Sequence, residues 1–129
     1  MAKDFNPKDG IILITATVHG RIIAKVRLVF DTGATYCMLP EWLVKSLGIV
    51  IDPNKSTQTI TASKIETSPL VKIPRIEVLG HSVNNVTCMV RDLPRGASVD
   101  GLLGLSFLKY FKIGIDFSEG EITLERFLN

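Results

Sequence analysis

Cysteine and histidine are scarce in this chain of 129 residues, with two of each. Cys37 and Cys88 lie in apolar company, Tyr36-Cys37-Met38-Leu39 and Thr87-Cys88-Met89-Val90. A free thiol packs there as a small hydrophobe, so two reduced core cysteines are expected rather than a disulfide. His19 and His81 each stand beside a glycine and read as turn or surface residues. With so few ligands of the usual kinds, neither a metal site nor an organic cofactor is expected. Long apolar runs are also missing. No stretch approaches the roughly 20 residues that span a bilayer, and the N-terminus lacks a signal-peptide core. The expectation is a soluble chain with no membrane segment, in the cytoplasm. An excess of one charge is absent too, with 15 basic residues against 13 acidic ones. No Lys/Arg cluster with interleaved aromatics occurs, which argues against a nucleic-acid partner.

What is present is an ordinary globular composition, 46% hydrophobic and 22% charged. The length suits one domain. Residues 1–10 are polar and contain Pro7 and Gly10, so they read as an N-terminal arm or edge strand, and residues 11–129 as a single domain.

Strand signals dominate. Ile11 to Val18 is rich in β-branched residues, and His19-Gly20 marks a turn. Ile22, Ala24, Val26, Leu28 and Phe30 then fall on one face, with Lys25 and Arg27 on the other. Pro40, Glu41 and Gly48 punctuate a short helix. Ser56 to Thr61 and Ile65 to Ile73 read as a hairpin with a polar tip, its second arm restricted by Pro69 and Pro74. Further strands are expected at Glu77 to Leu79, Val83 to Val90, Lys112 to Phe117 and Glu121 to Arg126, with a second short helix over 105–111. Tyr36 and Trp42, aromatics beside the first helix, could line a substrate pocket, but core positions are the expectation. The pattern implies a small all-β domain, closed like a barrel, with two short helices.

The chemistry concentrates in Val29-Phe30-Asp31-Thr32-Gly33-Ala34. An apolar strand runs into a carboxylate, a hydroxyl and a glycine whose missing Cβ admits another chain or a substrate. Only one Asp-Thr-Gly occurs, so a catalytic role for Asp31 requires a second carboxylate from elsewhere. Asp100, before Gly101, reads as a turn residue rather than that second acid. Asp116 reads as the end of a strand near the surface.

The hairpin feeding Asp-Thr-Gly-Ala, the short helix ending in Leu47-Gly48-Ile49, the polar-tipped hairpin and the late Leu102-Leu103-Gly104 resemble, in that order, the retropepsin-like aspartic proteases. The run Leu102 to Leu108, followed by Ile113-Gly114-Ile115-Asp116-Phe117, looks like the cellular and bacterial branch. Retroviral members carry arginine where this chain has Leu105. The resemblance implies an acid-protease half-domain that acts as a homodimer on an extended polypeptide. Asp31 of each chain would form a catalytic dyad, because two carboxylates about 3 Å apart share one proton and can activate water. Thr32, Gly33 and Ala34 would support the active-site loop, and Leu102, Leu103 and Gly104 would pass beneath it. Thr61, Ala62, Ser63 and Lys64 would be the tip of a flap, although such tips usually carry glycine. The segment Glu121 to Asn129, with Leu124, Phe127 and Leu128, is a candidate dimer interface.

A second reading belongs to another class. The same fold could hold an extended peptide, or a second copy, by strand addition without cutting it.

Overall fold

A computed structural model describes residues 4–60, 62–94 and 98–127. The chain opens with the expected hairpin, β1 (Leu13–His19) and β2 (Ile23–Phe30), paired from Leu13↔Val29 to His19↔Ile23. Its apolar alternation turns Ile14, Ala16 and Val18 of β1, and Val26, Leu28 and Phe30 of β2, into the core. Ile22 precedes β2 and stays exposed, although its spacing predicts the inner face. Next come β3 (Cys37–Leu39) and α1 (Glu41–Ser46), which starts at Pro40 and stops at Gly48 in the left-handed region, φ +79°. Leu43, Val44 and Leu47 bury one side of this helix, while Trp42 stays 60% exposed, contrary to its expected place in the core. A helix of six residues has only a narrow buried face, and Trp42 falls outside it.

β4 (Ser56–Ile60) and β5 (Ile65–Val78) form the polar-tipped hairpin, and β6 (His81–Val90) follows β5 across the turn at Leu79-Gly80. The sequence suggests two separate strands within 65–79, interrupted by prolines. The chain makes one strand of 14 residues through both. Pro69 stands where β5 leaves β4, and the next donor, Leu70 N–H, bonds Lys55 O at 2.7 Å. Pro74 stands opposite Asn85, which takes a positive φ of 54°, so the missing N–H falls at a gap in the ladder.

β7 (Gly101–Leu103), α2 (Leu105–Leu108), β8 (Phe111–Asp116) and β9 (Glu121–Arg126) complete the chain. The second helix stops short of the predicted 111 because Phe111 already begins β8 and is buried. Six strands close on themselves in the order β1-β2-β7-β3-β6-β5, with β5 returning to β1 through Ala16↔Val78 to His19↔Arg75. β4 extends the hairpin beyond this barrel, and β8–β9 forms a separate two-stranded sheet. The core fills the barrel with Leu28, Leu39, Ile73, Ile76, Leu103 and Phe107 among others. Cys37 and Cys88 are both free and buried, as their surroundings imply. The segment before β1 is tied down. Phe5 is buried, and the Asp4 and Phe5 N–H groups bond Gly120 O at 2.8 and 3.1 Å. Among the described residues no helix is long and apolar enough to cross a membrane.

Candidate active site

Asp31 is the first residue past β2, where the strand leaves the barrel. Its parallel neighbour fixes its position. β7 runs beside β2 in the register Leu28↔Gly101 to Phe30↔Leu103, and the Asp31 N–H then bonds Leu103 O at 3.0 Å. Asp100 extends the same ladder, since its N–H bonds Arg27 O at 2.8 Å and its Oδ2 accepts Arg27 N–H at 2.8 Å. Asp100 therefore braces β2, a more specific task than the turn position its sequence context suggests.

The loop folds back on its own acid. Gly33 N–H donates to Asp31 Oδ1 at 2.9 Å, and Ala34 N–H to Asp31 O at 3.2 Å. A Cβ on Gly33 would lie 3.1 Å from Asp31 Oδ1, so glycine permits this close return. Thr32 and Gly33 are exposed, and Asp31 is half-buried beside them.

Below the loop, space is the controlling fact. A Cβ on Gly101 would stand 1.8 Å from Met38 O, and one on Gly104 would stand 2.5 Å from Tyr36 O and 2.7 Å from Ala34 O. Glycine at both positions lets β7 slide between β2 and β3. Leu105 N–H then bonds Ala34 O at 2.8 Å, and Ser106 N–H bonds Thr35 O at 3.0 Å. Leu103 and Gly104 thus lie directly against the loop of residues 31–36, and Leu102 beside Val29 and Met38 that flank it.

The two thiols take part in this joint. Cys37 and Cys88 are register partners of β3 and β6. Cys37 N–H donates to Ser106 Oγ at 2.9 Å, and Gly104 N–H donates to Cys37 Sγ at 3.3 Å. The hydrogen bond from the Cys88 thiol, with help from Ser106 and the Gly104 and Phe107 backbone, brings the Cys37 thiol down from 9.0 to about 7 against the opposing effect of burial. Burial pushes Cys88 up.

A cleft of about 400 Å³ opens beside Asp31. The loop lines it with Gly33, Ala34 and Tyr36, and Met89 and Leu102 contribute apolar surface. The facing wall is β4, through Thr57, Gln58, Thr59 and Ile60. Sequence reasoning missed this strand as a site element and pointed to the hairpin tip beyond it. The sequence Ser56-Thr57-Gln58-Thr59-Ile60 has no apolar alternation to mark it, and the half-burial of Thr57 and Thr59 emerges only in the fold. Ala62, Ser63 and Lys64 are exposed and do not line the cleft, and Thr61 lies outside the described residues. Lys64 Nζ pairs with Glu66 Oε1 at 2.8 Å, and Arg91 pairs with the other oxygen of Glu66, which ties the hairpin to the end of β6.

A closed six-stranded barrel whose Asp-Thr-Gly loop rests on a Leu-Leu-Gly strand is a retropepsin-like fold, the architecture expected from the sequence. Residues 14–107 match the aspartyl protease family, and the chain belongs to that family. Its fold is similar to the crystal structure of a retropepsin-like aspartic protease from Rickettsia conorii, with a TM-score of 0.65 and 23% identity over 95% of each chain. Comparison with curated proteins gives no match.

Proposed function

We propose that this chain is an aspartic endopeptidase, active as a homodimer in which Asp31 of each copy supplies half of a carboxylate dyad. The observation that carries the reading is the Asp31 carboxylate, held by Gly33 N–H at 2.9 Å on the rim of a cleft of about 400 Å³. One copy brings one such acid to the cleft. A second Asp31, related by a two-fold axis, completes the pair.

In the dyad one carboxylate is ionised and the other keeps the shared proton. The ionised member takes a proton from water, which adds to the scissile carbonyl. The protonated member donates a hydrogen bond to that carbonyl oxygen, so the charge of the tetrahedral intermediate is met as it develops. Collapse of the intermediate passes a proton to the leaving nitrogen, with no covalent adduct to the enzyme. Gly33 N–H orients the carboxylate, and Thr32, exposed at the loop apex, bonds across the axis. The β4–β5 hairpin, with Ala62 to Lys64 at its tip, closes over an extended polypeptide and excludes water.

The test is cleavage of a peptide library by wild type beside Asp31→Asn, over pH values from about 4 to 7. The amide cannot act as a base, so cleavage falls by about 10³-fold or more. Equal cleavage by both proteins would sink the assignment. Binding of the same peptides without cleavage by wild type would favour a peptide-holding module instead.

A further inference from the structure

Asp31 also borders a second groove, of about 360 Å³, whose other lining residues are not those of the substrate cleft. Its lining is mainly apolar and includes Phe5, Ile11, Ile12, Phe30 and Phe117. Two of these are uncovered at the rim, Ile11 at 47% and Phe117 at 61% exposure. Phe117 is not a loose surface residue. The Phe117 ring meets the buried Phe5 edge-on at 5.8 Å. Asp4 and Phe5 donate to Gly120 O, and Asp4 Oδ2 accepts Ile122 N–H at 2.8 Å. The N-terminal segment and the β8–β9 turn are thereby joined into one platform beside the acid.

We infer that this platform, centred on Ile11 and Phe117, is the surface on which a second copy of the chain seats, bringing the two Asp31 carboxylates together. The inference rests on the dyad reading and adds the interface to it. A dyad demands that the partner's carboxylate lie within a few ångströms of this one. The surface next to Asp31 that the substrate does not occupy must then face the partner. A two-fold contact uses the same patch on both copies, so each exposed aromatic and aliphatic side chain is covered by its counterpart patch. Covering Ile11 and Phe117 supplies the central apolar burial that such interfaces draw on.

The exposed C-terminal end is a second candidate patch, distinct from this platform. Phe127 N–H bonds Tyr110 O, next to Phe111 at the opposite end of β8 from Phe117. Six residues of strand at about 3.3 Å each separate the two ends by about 20 Å. Phe127 therefore lies at the other end of β8 from Phe117 and is itself exposed, a patch separate from the platform. Leu128, its expected companion, lies outside the described residues.

The experiment measures the dimer constant by analytical ultracentrifugation and peptide cleavage in the same samples, for wild type, Ile11→Lys, Phe117→Lys, Phe127→Lys and Asp31→Asn. Circular dichroism confirms folding, and Phe117→Ser replaces the lysine variant if that one does not fold. Ile11→Lys and Phe117→Lys are expected to weaken the dimer about 30-fold or more. Their cleavage should fall in step with the dimer fraction and recover as concentration rises. Phe127→Lys should match wild type in both measurements. Dimers of Ile11→Lys and Phe117→Lys as tight as wild type would overturn the inference and leave the dyad standing. So would dissociation caused by Phe127→Lys alone. A dimer that the first two variants split, but that cuts no better than Asp31→Asn, would keep the interface and remove the peptidase reading. A wild type monomeric at every concentration would overturn both.

Discussion

Gly104 lies so close beneath Tyr36 that a side-chain carbon on the glycine would stand 2.5 Å from the tyrosine carbonyl oxygen. That carbonyl belongs to backbone and cannot swing aside, as the tip of a flexible side chain would. The contact joins the strand under the site to the loop that carries Asp31. Gly104→Ala should therefore cost about 1–3 kcal/mol by overpacking, seen as a lower urea midpoint with an unchanged slope. Cleavage should suffer at temperatures where the variant is still folded, because Ala34 and Thr35 hang on the backbone of Leu105 and Ser106.

Gly33→Ala separates catalysis from stability. Its new carbon would meet Asp31 Oδ1 at 3.1 Å, and Gly33 itself is exposed. The carboxylate must then move by a few tenths of an ångström. A loss of about tenfold in kcat is expected, with the melting temperature nearly unchanged. Steady-state kinetics beside a thermal melt check both halves of this statement.

Asp100→Asn discriminates bracing from catalysis. The Asp100 side chain accepts Arg27 N–H, and the asparagine carbonyl can accept the same bond. Peptide cleavage should stay within about twofold of wild type, whereas Asp100→Ala should cost about 1 kcal/mol of stability. A loss of activity in Asp100→Asn comparable to that in Asp31→Asn would contradict this division of roles.

The Cys37 thiol predicts a pH dependence of stability. Its folded value of about 7 lies below its ordinary value of 9.0. Between those values the unfolded chain binds more protons, so the contribution of Cys37 grows as pH rises from 7 to 9 and is lost as pH falls through 7. Cys88, pushed up by burial, contributes in the opposite sense above pH 9. Urea midpoints of wild type should climb across the neutral to mildly alkaline range, and Cys37→Ser should flatten that climb.

Much of the fold was legible because it depends on local periodicity. The alternation from Ala24 to Phe30 and the Pro40 and Gly48 signals around α1 are read within a few residues, and the structure follows them. The continuous β5 was not legible, since a proline breaks a strand only if the missing donor was needed. That is decided by whether a partner stands opposite, as Asn85 and the handover from β4 show. The exposure of Trp42 was hidden for a similar reason, because it depends on which side of α1 meets the barrel.

For the site, the chemistry at hand is set by residue order: one carboxylate at a strand end, a hydroxyl and a glycine after it, and a glycine-bearing Leu-Leu-Gly stretch. Residue type sets acidity, hydrogen-bonding capacity and the space a backbone can enter. The folded chain alone sets Gly101 and Gly104 as the wedge that holds β7 under the Asp31 loop, makes β4 the facing wall of the cleft, and brings Ile11 and Phe117 into one groove beside the acid. Those juxtapositions join residues far apart in the chain, and only barrel closure together with the docking of the β4–β5 hairpin and the β8–β9 sheet brings them to one place.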